Sequence, residues 1–160
     1  MKTDINVEAK EYVADEEKLC RLISSPLGYN KVTGVSPDSF RLFRKNESYI
    51  SVERLLLVSF DDMIVVGENI QKWFTEGESF WGAAILTAGN VRKNPKLDVV
   101  SKYTKSHPSH AGIEIRLENG LLYKSKPDIP TPHEVLLLQL YLSTIVECVN
   151  DKEGNFVTLP

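Results

Sequence analysis

Residues 110–120 read HAGIEIRLENG, and this stretch constrains the fold more than any other. Ala111, Ile113, Ile115 and Leu117 alternate with His110, Gly112, Glu114, Arg116 and Glu118. A period of two belongs to a strand with one face on a core, because successive β-carbons point to opposite sides. Asn119-Gly120 supplies two residues that accept positive φ, as a type I′ hairpin turn requires. The spacing therefore predicts a hairpin in which residues 121–125, LLYKS, return beside 111–117. Lys124 falls on the inner face in that register and so belongs near a sheet edge. The same alternation commits the ring of His110 to the face opposite Ile113 and Ile115.

The rest of the chain supplies helices and further strands. Tyr12, Leu19, Cys20 and Ile23 recur at helical spacing, with Glu8, Glu11, Asp15 and Glu16 as a wet face, so residues 6–24 read as a first helix. The run Ser24-Ser25-Pro26-Leu27-Gly28 stops it. Phe40 and Leu42, then Ile50 and Val52, predict two short strands joined at KNES. A helix opening at Ser36-Pro37 competes with the first of them. Residues 62–74 carry Met63, Val66, Ile70, Trp73 and Phe74 at helical spacing, with Asp61 or Asp62 as cap, although Gly67 weakens the pattern.

Residues 79–93 and 97–104 read as strands, with Gly89-Asn90 as a turn and Asn94-Pro95 as a loop; Trp81, Ala84, Ile85 and Ala88 also fit a helix. The final helix, 132–149, opens with Thr131 as cap, Pro132 in the first position and Glu134 completing a capping box. Its polar residues reduce to a stripe of Gln139, Ser143 and Glu147, so its apolar sides need cover, expected from within a monomer. The fold class is α+β: a mainly antiparallel sheet flanked by N- and C-terminal helices, in a single domain over 1–160.

Composition narrows the function classes. A chain of 160 residues with 42% hydrophobic content can bury a core without staples. A net charge of -3 disfavours general nucleic-acid binding. Cys20 and Cys148 each sit in an apolar pattern and read as buried thiols rather than a secreted framework. The N-terminus lacks the apolar run of a signal peptide. The most apolar segment, 135–149, would span about 22 Å as a helix, short of a bilayer core of roughly 30 Å. These features predict a cytoplasmic protein with no membrane association.

Three groups of residues can carry chemistry. His107 and His110, three apart around Pro108, can share a metal, but no thiolate accompanies them and a third ligand must come from His133 or a carboxylate. Two histidines alone make a weak site, so no bound zinc and no cofactor are expected. Arg41, Arg44 and Arg54, with Ser51, offer fork-shaped donors for phosphate or carboxylate. With His110 beside them as general acid or base they would form a catalytic pocket; paired with Glu47, Glu53 or the acidic N-terminal segment they would be structural. His133 stands in the first turn of the last helix, where the helix dipole favours a neutral imidazole. The phosphate-loop, dinucleotide and nucleophile-elbow signatures do not occur in the sequence.

The segment FRLFRKNESYISVERL followed by HPSHAGIEI resembles a pattern of small bacterial proteins without an assigned activity. In them an Arg-bearing strand and an SV-x-R segment precede a P-x-HA-x-I strand. The matching positions here are Arg41, Ser51, Val52, Arg54, Pro108, His110, Ala111 and Ile113. The resemblance implies a bacterial cytoplasmic protein in which Arg41, Ser51, Arg54 and His110 form one cluster. The leading expectation is a small accessory or binding protein acting by surface recognition of a protein partner or an anionic small molecule. An Arg/His enzyme handling a phosphate or nucleotide group is the rival, and a metal-assisted hydrolase the third reading.

Overall fold

The computed structural model describes residues 11–41, 48–116 and 132–159. Among these, seven strands form one sheet in which every pairing is antiparallel. They are β1 (Lys18–Ser25), β4 (Tyr49–Arg54), β5 (Ser79–Thr87), β6 (Leu97–Ser101), β7 (His110–Ile115), β8 (Cys148–Asp151) and β9 (Phe156–Val157), in the order β6-β7-β4-β1-β5-β8-β9. A separate ladder joins β2 (Tyr29–Asn30) to β3 (Gly34–Val35). The helices are α1 (Phe60–Asn69), α2 (Ala88–Arg92) and α3 (Pro132–Thr144), with 3-10 turns at Pro37–Phe40 and Gln71–Trp73. The fold is α+β, and none of these helices is long and apolar enough to cross a membrane.

Both faces of the sheet centre are covered. One core joins Leu19, Ile23, Ile50, Val52, Ala84, Leu86, Ala111 and Ile113 to Phe40, Leu138 and Leu142. On the other face Cys20, Ala83 and Ile85 meet Met63 of α1. The ring of Phe80 lies against Gly67, where a β-carbon would stand 2.2 Å from it. Gly67 is therefore the contact that lets α1 lie close to the sheet, not a flaw in the helix.

This double cover explains the first departure from expectation. Glu11 is helical, but Lys18–Ser25 is the central strand β1 and not the end of a helix. A strand buried on both faces loses its polar alternation, and its apolar run then mimics helical spacing. Cys20 and Cys148 are accordingly strand residues. They flank Ile85 from opposite sides, two strand spacings or roughly 10 Å apart. That separation exceeds the reach of a disulfide, and both thiols are free.

Other elements shift for local reasons. Phe40 closes the 3-10 turn opened by Pro37, so the competing Ser36-Pro37 reading replaces the strand there. Ser59, not Asp61 or Asp62, caps α1, accepting from the Asp62 amide at 3.2 Å. Gly89-Asn90 lies inside the single turn of α2. The last helix ends at Thr144, because Cys148–Asp151 is needed to pair with β5. Leu136, Leu137 and Leu140 stay exposed, at 49%, 52% and 43%, so α3 is not covered on all sides within the monomer. Thr131, Asn119-Gly120 and residues 121–125 lie outside the described part. Within the described residues, the two edges of β7 pair with β4 and with β6.

Candidate functional site

Strand parity sorts the candidates. Ile50, Val52 and Arg54 of β4 share one face; Tyr49, Ser51 and Glu53 share the other. Ladder partners lie on a common face, so Glu53 stands beside His110, Ser51 beside Gly112 and Tyr49 beside Glu114. His110 thus opens β7 opposite Ile113 and Ile115, as its register requires. Its face is only partly open to water, since Glu53 and Glu114 are buried there while His110, Ser51 and Tyr49 are half-buried.

Arg54 faces the other way. Its side chain is 0% exposed and holds both carboxylate oxygens of Glu17 at 2.8 Å, with a third bond to the Tyr12 carbonyl at 3.0 Å. This bidentate pair is structural, and it removes Arg54 from the cluster with His110. Arg41 contacts Asp38 at 3.5 Å and Thr75 at 2.5 Å. Ser51 is half-buried on the His110 face, its carbonyl accepting from Arg21. His133 is exposed on α3, and Arg44 lies outside the described residues.

The structure brings His107 and His110 together around a residue the sequence had offered only as an arginine partner, Glu53. After β6 the chain makes a tight turn in which Thr104 and His107 exchange backbone hydrogen bonds at 3.3 and 3.2 Å. The Thr104 hydroxyl also accepts from the His107 amide at 3.0 Å. This turn swings the His107 ring back over the start of β7. Its centroid lies 4.7 Å from that of His110, at an interplanar angle of 29°. Residues three apart therefore meet, although on a continuous strand they would point to opposite faces.

Glu53 sits beneath them, its side chain 8% exposed. His107 Nε2 is 2.7 Å from Oε1 and 2.9 Å from Oε2. The Ser109 hydroxyl donates to Oε2 at 2.5 Å. His110 Nδ1 faces Oε1 at 3.8 Å, beyond hydrogen-bond reach, and is buried with no hydrogen-bond partner among the described residues. On the far side of the same ring, Nε2 meets the Tyr49 hydroxyl at 3.2 Å. Burial alone would raise the Glu53 carboxyl, but the facing His110, the Ser109 hydroxyl and the charge and hydrogen bond of His107 outweigh it. The carboxyl is held below its ordinary range and stays ionised at neutral pH. Cys20, its neighbour on β1, behaves oppositely: burial first, then the Glu53 charge, push the thiol up, so it is inert.

An ionised, nearly dry carboxylate flanked by two imidazoles is a donor set chemically suited to a cation. The ligand atoms of Glu53, His107 and His110 all lie within 4.8 Å of one another. No signal in the sequence pairs Glu53 with the histidines, because only the β4–β7 register places them side by side. The chain matches no protein-family model, no curated protein and no solved structure, and the resemblance carried by the FR and SV-x-R segments stands on its residues alone.

Proposed function

We propose that the chain is a small metal-binding protein in which Glu53, His107 and His110 are the three protein ligands of one divalent transition-metal ion. The observation that carries this is the convergence of their ligand atoms within 4.8 Å. Two imidazoles and a carboxylate form a donor set that zinc and its first-row neighbours accept. The second carboxylate oxygen is held by Ser109 and the second nitrogen of His110 by Tyr49. Such outer contacts are what orient metal ligands. The expectation of no zinc rested on two histidines with no assured third ligand, and Glu53 is that third ligand. Three protein ligands leave a position for water or substrate, so metal-assisted hydrolysis is the reaction class this reading supports. A bacterial cytoplasmic setting remains part of the reading, from the sequence pattern.

The test is metal content of untagged protein, washed with chelator, reloaded with zinc and passed through a desalting column. One equivalent should be retained by the wild type and lost from Glu53→Gln and from the His107→Ala, His110→Ala double variant, with all three folded by circular dichroism. Retention of zinc by both variants, or none by the wild type, would overturn the assignment.

The phosphate-handling reading rested on Arg41, Ser51, Arg54 and His110 forming one cluster, and Arg54 stands on the opposite face of the sheet, bound to Glu17. Surface recognition keeps one specific observation, the exposed Leu136, Leu137 and Leu140 on α3.

A further inference from the structure

Tyr49 occupies an unusual place beside this cluster. Its ring lies across β7 at Gly112, where a β-carbon would stand 2.6 Å from Cδ2 and 2.8 Å from Cγ. Only glycine leaves that space. The Lys102 ammonium sits 4.6 Å from the ring centroid and is itself tied to Glu114. The ring meets His110 edge-on, with centroids 5.8 Å apart and an interplanar angle of 63°. The phenol is thereby aimed at His110 Nε2, while Nδ1 of the same ring is buried and faces Glu53.

We infer that Tyr49 is the positioning residue of the Glu53, His107 and His110 centre, presenting Nδ1 rather than Nε2 of His110 to the ion. This rests on the metal reading above. A neutral imidazole has one N–H and one lone pair, and a metal takes the lone pair. With the ion on Nδ1, the proton resides on Nε2 and is donated to the Tyr49 oxygen. The phenol thus selects the tautomer, fixes the ring plane and increases the basicity of the ligating nitrogen. Gly112 and Lys102 hold the phenol in place. A tyrosine that merely filled the space over Gly112 would do the same packing without its hydroxyl.

Tyr49→Phe separates these roles, because it keeps the ring and removes only the oxygen. Zinc affinity measured by competition with a chromophoric chelator should fall about 10–100-fold, the range typical of lost outer-shell partners. The thermal melt of the metal-free protein should barely move, and the visible spectrum of the cobalt-loaded form should shift. In the zinc-loaded wild type, the nitrogen chemical shifts of His110 should show the metal on Nδ1 and the proton on Nε2. A wild type that binds zinc, with Tyr49→Phe matching its affinity and its cobalt spectrum, overturns this inference and leaves the metal reading standing. A wild type that takes up neither metal overturns both.

Discussion

The ring of Tyr49 rests on Gly112 of the neighbouring strand, and a β-carbon at that position would stand 2.6 Å from the ring. The contact is lateral, between directly adjacent strands, because Ser51 pairs with Gly112 and Tyr49 with Glu114. Gly112→Ala should force the ring aside and cost about 1–3 kcal/mol, the usual penalty of overpacking. Urea unfolding of the metal-free protein reads this directly. An unchanged midpoint would mean that the ring moves without cost.

Arg54 and Glu17 make the most deeply buried ion pair among the described residues. Removing one partner strands the other charge in a dry interior. Arg54→Ala should therefore destabilise the fold by about 3–5 kcal/mol. Replacing both residues together by apolar ones of similar size should cost much less, because no charge is left alone. Denaturant titration of the single and double variants decides between a stability role and a site role for Arg54.

The depressed Glu53 carboxyl makes stability depend on pH. Its folded value lies below the ordinary 4.5, so the unfolded chain binds the proton more readily. Its contribution is fully present above pH 4.5 and is lost as the pH falls through the folded value. The difference in unfolding free energy between wild type and Glu53→Gln should shrink as acid is added across that window. A difference constant with pH would show that the carboxylate is not held in its ionised form.

Helix α3 separates a buried side from an exposed one. Leu142 is fully buried and Leu138 nearly so, while Leu137 is half exposed. Leu142→Ala should cost about 2–5 kcal/mol. Leu137→Lys should stay within about 0.5 kcal/mol of the wild type. Thermal melts compare the two. A large loss from Leu137→Lys would show that this face is covered in solution, and sedimentation would then identify self-association.

The sequence by itself determined which residues of a strand segment share a face. The alternation from His110 to Ile115 placed His110 opposite the core residues of its strand, because a period of two survives any register. Pro132 and the apolar run after it marked α3, and Pro37 after Ser36 marked a helical turn, because the proline ring restricts φ locally. What lay beyond local patterning was decided by tertiary structure. Lys18–Ser25 became a strand because cover on both faces erased the alternation that would have announced it. The histidines were legible as a pair of candidates, but their partner was not: Glu53 and His110 are 57 positions apart and meet only because β4 pairs with β7. Arg54, one residue further along, leaves the site for the same reason. A strand turns successive side chains to opposite faces, and which of those faces holds His110 is set by the register between strands, which no local stretch of the chain contains.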